Sequence, residues 1–155
     1  MIIWRRFWHD GRGFSIAELV VTIAVIAIIT AGSVPYFVSY WRWATLNGGA
    51  RELATVISRA RSLAISLNTT VCVNEASNKV RFLTGGCAGT VWTGPGSDAS
   101  GWFTLQNGTN VTTNPGAVFN SLGTANTAGS YTVQDPVNLA QTTVTVLTSG
   151  RITIP

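Results

Sequence analysis

One carboxylate stands alone in a long apolar stretch near the start of the chain. From Ser15 to Val34 the only charged residue is Glu18, and about twenty helical residues at roughly 1.5 Å each are long enough to cross the hydrocarbon core of a membrane. A charged side chain costs roughly 2.5 to 3.5 kcal/mol at the centre of a membrane, so it is retained where an opposite charge pairs with it. We therefore expect a cationic partner for Glu18.

Residues that could support catalysis are few and scattered. The only histidine is His9, before the apolar stretch, and beyond the helical region the carboxylates are Glu75, Asp98 and Asp135, far apart and among turns. General acid and base catalysis needs positioned titratable groups, and nucleophilic catalysis needs a base beside the nucleophile. The sequence assembles neither, so we expect no catalytic residue and no cofactor. An enzyme anchored in the membrane is the opposing hypothesis.

The two cysteines, Cys72 and Cys87, are expected to form a disulfide. Three arginines precede the apolar stretch, and the nearest arginine after it is Arg42. Because positive charge next to a membrane span favours the cytoplasmic side, this excess predicts a cytoplasmic N-terminus, with the remainder of the chain outside. Disulfides persist in such an outer compartment. Two unpaired buried thiols are the alternative. No metal site is expected, because the two cysteines lack further ligands.

The composition suits an extracytoplasmic domain rich in strands and turns. Charged residues make up only 10% of the 155 residues, against roughly 25% in ordinary soluble domains. The formal charge is +4, and removal of residues 1–13, with their three arginines and one aspartate, lowers it to +2. Net charge alone therefore does not predict a basic partner-binding surface.

Two helical patterns follow one another before the strands begin. Aromatic residues gather from Tyr36 to Trp43, and such residues favour the membrane interface, so they mark where the helix leaves the membrane. From Leu46 to Leu67 apolar residues recur at spacings of three and four, which indicates a helix with one face packed on a globular body. Gly48 and Gly49 interrupt this stripe and predict a local loosening. The stripe consists of Leu46, Ala50, Leu53, Ile57, Ala60, Ala64 and Leu67.

After Asn68 short segments with a period of two predict an antiparallel β-sandwich. Asn120 to Gly129 is expected to be a surface loop. Trp92 and Trp102 to Phe103 are expected to face the core, with stacking of the tryptophans on a base or sugar as the alternative. The predicted strands are Thr69 to Glu75, Lys79 to Thr84, Phe103 to Gln106, Asn110 to Thr113, Ala117 to Phe119, Tyr131 to Gln134, Thr142 to Thr148 and Arg151 to Ile154.

The N-terminal residues resemble the class III signal of type IV pilins and type II secretion pseudopilins. Gly13 is followed by Phe14, Glu18 comes four positions after Phe14, and Pro35 matches the family's helix proline. The resemblance implies that a prepilin peptidase cuts between Gly13 and Phe14, that Phe14 becomes the N-methylated first residue, and that a free N-terminal amine neutralises Glu18 in the filament. An ordinary secretory signal cut near Ala31 and a plain single-span anchor are the alternatives.

The remainder of the chain resembles the GspH/FimT group of minor pseudopilins and minor pilins. The resemblance implies an α+β fold, in which a long N-terminal α-helix with a membrane-spanning first half packs on an antiparallel β-sandwich head, as in type IV pilins. It divides the chain into a leader at 1–13, an assembly helix at 14–35, an amphipathic continuation at 36–67 and a periplasmic head at 68–155. The matching segments are Ala60 to Ile65, Val71 to Val73, Cys87, Trp92, Gly101 to Phe103, Phe119 to Gly123 and Gly150 to Ile152.

This resemblance implies a structural subunit rather than an enzyme. Minor subunits sit at or near the tip of a filament and help to start its assembly, in a type IV pilus or in the pseudopilus that serves protein secretion. The implied partners are other pilins or pseudopilins, the prepilin peptidase, the inner-membrane assembly platform and, before assembly, membrane lipid. The implied location is the bacterial inner membrane, with the N-terminus cytoplasmic and the head periplasmic, and later the filament.

DNA binding for natural transformation is the alternative function. Some FimT-like members bind DNA through a C-terminal Gly-Arg-X-Arg motif, of which Gly150 and Arg151 supply the first two positions while Thr153 replaces the second arginine. A surface that follows phosphates needs several converging cations. The ordinary interpretation of Arg151 is an exposed strand residue.

Overall fold

A single helix, α1, occupies Ile16–Ser66 in the computed structural model, which describes residues 15–155. The helix ends where Asn68 adopts a left-handed conformation, with a φ of 49°. The N–H of Asn68 donates to the carbonyl of Ile65, and the N–H of Thr69 to that of Ala64, each at 3.2 Å. This pair of hydrogen bonds satisfies carbonyls that the end of a helix otherwise leaves free.

The chain forms two compact units, which are described separately. One unit extends to Ser39 and contains the first part of α1, and the other is Tyr40–Pro155, with the rest of α1 and all the strands. The strands are β1 (Val71–Ala76), β2 (Lys79–Thr84), β3 (Thr90–Val91), β4 (Trp102–Thr104), β5 (Asn110–Thr113), β6 (Val118–Phe119), β7 (Ala125–Thr127), β8 (Gly129–Gln134), β9 (Gln141–Val146) and β10 (Ile152–Thr153).

All strand pairs are antiparallel and form two sheets, as the sequence predicts. The first sheet has the order β3-β2-β1-β6-β7, and β4 also pairs with β2; the second has the order β10-β9-β8-β5. β1 and β2 are joined by a two-residue turn, since Ala76 pairs with Lys79. Ser77 takes a φ of 54° in that turn.

The second part of α1 and both sheets share one hydrophobic core. The predicted apolar stripe is buried from Leu46 to Ala64, and Leu53 and Ile57 are fully buried. β1 and β2 contribute Val73 and Phe82, and the other sheet contributes side chains such as Val133. Burial of a large apolar side chain stabilises the folded state by roughly 1.5 to 3 kcal/mol, so this face of α1 contributes strongly to the stability of the unit.

Tyr131 on β8 links the two sheets through its hydroxyl group. The N–H of Ala117 donates to this oxygen at 2.8 Å, and the hydroxyl donates to the carbonyl of Val73 on β1 at 3.3 Å. The side chain is fully buried. Burial raises the pKa of the Tyr131 hydroxyl above its usual range, so the group remains a neutral donor.

Several local predictions were wrong. The predicted loop from Asn120 to Gly129 contains β7 and the start of β8, and β3 was not predicted. β3 and β7 each contain a single apolar residue, Val91 and Ala125, and so show no alternating apolar pattern. Leu67, predicted to belong to the buried stripe, is exposed because α1 has already ended.

The predicted loosening at Gly48 and Gly49 is also absent, because α1 is continuous there. A Cβ atom at Gly49 would lie 2.6 Å from Oγ1 of Thr109. The glycine therefore lets the helix approach the segment before β5 closely.

Trp102 does not face the core, whereas its neighbour Phe103 does. Adjacent residues of a strand point to opposite faces of the sheet, so only one of the two can be buried. The guanidinium of Arg81 lies 4.5 Å from the centre of the Trp102 ring. Trp92 packs against the core as expected, with its ring centre 6.0 Å from that of Phe82.

Candidate functional site

The first part of α1, which we call the apolar segment (residues Ser15–Ser39), has no buried residue. α1 contains a stretch that is long and apolar enough to cross a membrane, by length and composition, and none of that stretch is buried. The core helix of a soluble protein would be mostly covered by its own chain. The apolar segment is therefore available to contact lipid or other chains.

Hydroxyl groups in the apolar segment bond to their own helix. Thr22, Thr30 and Ser33 each donate to the carbonyl four residues earlier, at distances of 2.7 to 2.8 Å. In the hydrocarbon core of a membrane an unsatisfied polar group costs several kcal/mol. These hydroxyls are therefore compatible with an environment that contains no water.

Glu18 lies in the first turn of α1. A carboxylate there is favoured by the partial positive charge of the helix N-terminus. Among residues 15–155 no cationic side chain forms an ion pair with Glu18. Gly13 and Phe14, the predicted cleavage site and predicted methylated residue, lie outside the described residues. The pairing of Glu18 with an N-terminal amine therefore stays a prediction.

Pro35 lies inside α1, and the helix continues through it. Proline has no N–H, so the carbonyl of Ala31 loses its usual helical donor. Helices in membranes tolerate this loss. The predicted role of Pro35 in assembly is a proposal.

The second unit carries a groove between α1 and β10, with a volume of about 930 Å³. We call it the arginine groove. Arg59 and Arg61 reach it from α1, and Arg151 reaches it from the residue that precedes β10. Its apolar lining is provided by Ala54, Val56, Ile152 and Ile154, and its hydroxyl groups by Thr55, Ser58, Ser62 and Ser149.

Two glycines bring the turns of the second unit close to Arg61. Gly123 and Gly150 both have a φ of 78°, a conformation that favours glycine. A Cβ atom at Gly123 would lie 3.1 Å from Nε of Arg61, and one at Gly150 would lie 3.2 Å from the same atom. A Cβ at Gly150 would also collide with the carbonyl oxygen of Gly123. Side chains at these positions would therefore push the turns away from the groove.

The arginine groove carries three cations without bound carboxylates. Within residues 15–155 none of Arg59, Arg61 and Arg151 forms an ion pair, and Nε of Arg61 is buried without a hydrogen-bond partner. The guanidinium of Arg59 lies 5.5 Å from the centre of the Phe103 ring. A buried guanidinium N–H without an acceptor is unfavourable, so the groove is suited to an anionic ligand.

Three carboxylates of the second unit have structural partners, whereas Oε2 of Glu75 is buried without a hydrogen-bond partner within the described residues. Glu52 accepts hydrogen bonds from the backbone N–H of Gln106 at 2.9 Å and from Nδ2 of Asn107 at 2.8 Å, and so fixes the turn after β4 to α1. Asp98 accepts the N–H of Trp102 at 2.9 Å, and Asp135 accepts a backbone N–H within its own turn. Glu52, Asp98 and Asp135 therefore each stabilise the conformation of a backbone segment.

The disulfide between Cys72 and Cys87 is present, with the two Sγ atoms 2.01 Å apart. It connects β1 to the segment between β2 and β3. Within residues 15–155 no group of three or more histidine, cysteine, aspartate or glutamate residues is placed to hold a metal ion.

Of the sequence-predicted site residues, only Arg151 lies in the arginine groove. Arg59 and Arg61 were not predicted as site residues, because they lie off the apolar stripe of an amphipathic helix, where charged residues are usually exposed to solvent. The sequence offered no signal for their convergence, because residues two apart on a helix do not share a face. Arg151 is distant in sequence, so only the fold brings it beside them.

Family models match most of the chain. Residues 49–150 match the model of the type II transport protein GspH, and residues 8–34 match that of the prokaryotic N-terminal methylation motif. The second match includes Gly13, Phe14 and Glu18. No curated protein sequence matches the chain significantly.

Two solved structures are similar in fold. The minor pseudopilin EpsH from the Type 2 Secretion System of Vibrio cholerae has a TM-score of 0.53 and 14% identity, and the match covers 71% of this chain and 95% of that one. The type IV minor pilin FimU of Pseudomonas aeruginosa has a TM-score of 0.51 and 15% identity, with 71% and 87% covered. At these identities the likeness concerns the fold alone, which is the type IV pilin-like fold expected from the sequence.

Proposed function

The chain belongs to the family of the type II transport protein GspH, a family of structural pseudopilin and pilin subunits and not of enzymes, and we propose that it is a minor subunit of a filament. The observation that carries this proposal is the apolar segment. All its residues are exposed, Glu18 is its only charged residue, and the methylation motif at residues 8–34 overlaps most of it. An exposed apolar surface of this length needs lipid or other helices to cover it.

The proposed life cycle begins in the bacterial inner membrane. The leader, residues 1–13, lies in the cytoplasm, the helix from Phe14 to Pro35 crosses the membrane, and the amphipathic continuation at 36–67 and the head at 68–155 lie in the periplasm. A prepilin peptidase removes the leader between Gly13 and Phe14, and Phe14 is methylated. Support comes from the methylation motif at residues 8–34 and from the hydroxyl groups of the apolar segment, which bond to their own helix.

The assembly platform of the inner membrane then moves the subunit into a type II secretion pseudopilus or a type IV pilus, at or near the tip. There it contributes to the start of assembly and to protein secretion. Apolar segments of several subunits pack together, and the carboxylate of Glu18 pairs with a free N-terminal amine. A buried carboxylate without a partner costs several kcal/mol, so this pairing sets the register of the subunits.

Intact mass spectrometry tests the processing step. The chain is expressed with and without a prepilin peptidase, and each product is measured before and after reduction. We expect loss of residues 1–13 and gain of one methyl group only with the peptidase, and gain of two hydrogen atoms on reduction. An uncut chain in the presence of active peptidase would indicate a simple anchored domain. A cut near Ala31 would indicate an ordinary secreted protein.

DNA binding is a second candidate function, and one observation favours it. Arg59 and Arg61 converge with Arg151 in one groove, so the helix supplies cations that the C-terminal motif lacks at Thr153. Binding to a labelled DNA duplex would then weaken with salt, with a slope of roughly −0.9 for each phosphate contacted. Binding that is unaffected by Arg151→Ala would refute a role for this groove.

A further inference from the structure

One edge of the second sheet is open beside the arginine groove. Among residues 15–155 β10 pairs only with β9, at the end of the order β10-β9-β8-β5. The N–H of Leu147 donates to the carbonyl of Arg151 at 2.9 Å, and hydrogen bonds alternate along an antiparallel strand. The N–H and carbonyl of Ile152 are therefore directed away from β9. An unpaired edge of this kind is a template for another extended chain.

The lining of the groove suits alternate side chains of an extended polypeptide. Val56 and Ile154 give it apolar surface and are partly buried against the core, while Arg59 and Arg151 are exposed at its sides. Successive side chains of an extended chain point to opposite faces. A chain beside β10 could therefore place one set of side chains on the apolar surface and the other near the arginines, as in recognition by strand addition.

The charges of the groove determine the kind of chain that fits. Three arginines line it, within residues 15–155 none of them has a carboxylate partner, and the buried Nε of Arg61 has no acceptor. Carboxylates form strong, often bidentate hydrogen bonds with guanidinium groups. A neutral or basic segment would leave these cations desolvated and unpaired, whereas an acidic segment would neutralise them.

We propose that the arginine groove binds an extended acidic segment of another protein chain, which pairs with the free edge of β10 and directs its carboxylates to Arg59, Arg61 and Arg151. A polypeptide fits better than a single-stranded nucleic acid, because the residues that line the groove include no aromatic ring on which a base could stack. In a filament the other chain would be a neighbouring subunit. That last step rests on the proposed function, whereas binding of an acidic peptide does not.

Fluorescence anisotropy with a labelled peptide tests the proposal. The probe is a hexapeptide of alternating valine and glutamate, and the protein is the full chain in zwitterionic detergent micelles. We expect saturable binding to the wild-type chain and at least about tenfold weaker binding to Arg151→Glu, which corresponds to about 1.4 kcal/mol. Arg51→Glu is the matched control, because Arg51 is also exposed, lies on α1 and is outside the groove. We expect it to change the Kd less than twofold.

Modified probes separate strand addition from simple charge attraction. A peptide with glutamine in place of glutamate should bind at least about tenfold more weakly. Two further peptides carry N-methyl groups on alternate amides, one peptide on each of the two sets. Only the set of amides that faces β10 can donate hydrogen bonds to it, so the peptide methylated on that set should lose binding. Equal binding of all four peptides, or no binding of the acidic peptide, would overturn the proposal.

A short single-stranded thymidine oligonucleotide provides the remaining comparison. If it bound more tightly than the acidic peptide and lost affinity in Arg151→Glu but not in Arg51→Glu, the groove would be a nucleic-acid site and the proposal would be wrong. The peptide assay needs no leader cleavage and no filament. Its failure is therefore distinguishable from failure of the proposed assembly function.

Discussion

The two parts of α1 share one backbone conformation and differ in what covers them. From Ser15 to Ser39 every residue is exposed, including large apolar side chains such as Ile28, which is 74% exposed. Between Tyr40 and Ser66 one face is buried, and Leu53, Ile57 and Ala60 are completely covered by the sheets. The same helix therefore contains one segment stabilised by its own chain and one whose apolar surface is left for other partners.

This difference assigns different tasks to the two parts. Burial of apolar surface is worth roughly 25 cal/mol per Å², so the second part of α1 is stabilised as soon as the head folds. The first part gains that free energy only from lipid or from other helices. Substitutions in the second part should therefore change folding stability, and substitutions in the first part should change insertion and assembly.

The largest expected effect is the loss of filament incorporation in Glu18→Ala, a substitution in the apolar segment. This variant should be cleaved by the prepilin peptidase but should be absent from filaments, because it removes the carboxylate that we propose to pair with an N-terminal amine and to set the register. The measurement is the amount of processed chain in sheared filaments relative to the membrane fraction.

The matched control for Glu18→Ala is Glu52→Ala in the second part of α1. Glu52 holds the turn at Gln106 and Asn107, so its loss should weaken the head and leave co-assembly intact. Normal co-assembly of Glu18→Ala would refute the register role and would remove the main functional difference between the two parts of the helix.

Two leucine substitutions, one in each part of α1, compare how much each part contributes to the free energy of unfolding. Leu53 is fully buried and Leu19 is 53% exposed, so Leu53→Ala should lower the free energy of unfolding by about 2 to 5 kcal/mol. Leu19→Ala should change it by less than about 0.5 kcal/mol. Urea unfolding in detergent micelles, followed by tryptophan fluorescence, gives both values. Equal shifts would show that the apolar segment also contributes to the folded head.

The elements with strong periodic patterns were predictable from the sequence. The stripe on α1 and the strands β2 and β5 were predicted at their observed positions, because their patterns extend over at least four residues. β3 and β7 were not, since they have only two and three residues and depend on pairing with β2 and β6. Their positions are set by tertiary contacts rather than by local pattern.

The candidate sites also differ in how far they could be predicted from the sequence alone. The apolar segment and Glu18 are contiguous in sequence, so their type and spacing were sufficient for a prediction. The arginine groove joins Arg59 and Arg61 to Arg151 through the packing of α1 beside β10. Its formation depends on glycines at turns with positive φ, Gly123 and Gly150, whose contacts with Arg61 appear only in three dimensions.

A glycine pair tests how closely each part of α1 is packed. Gly49→Ala should lower the free energy of unfolding by about 1 to 3 kcal/mol, because the added Cβ would lie 2.6 Å from Oγ1 of Thr109. Gly32 has no atom within 4 Å of the position of an added Cβ. Gly32→Ala should therefore leave the unfolding of the head unchanged. The same urea titration measures both variants.

Thr109→Ala provides a direct check of the contact at Gly49. Oγ1 of Thr109 is buried and has no hydrogen-bond partner within the described part of the chain, so truncation of this side chain should make room for the new methyl group. The double variant Gly49→Ala with Thr109→Ala should be more stable than Gly49→Ala alone. If it is not, the cost arises from elsewhere in the helix.

The smallest expected change in stability is that of Pro35→Ala. Pro35 belongs to the exposed part of α1, so the free energy of unfolding of the head should change by less than about 0.5 kcal/mol. The alanine restores an N–H that can bond the carbonyl of Ala31, and hydrogen exchange should show this new amide as protected in micelles. A shift above about 1 kcal/mol would exceed the usual range for a surface substitution. It would mean that the two parts of α1 are energetically coupled, and the assignment of stability to one part and assembly to the other would then fail.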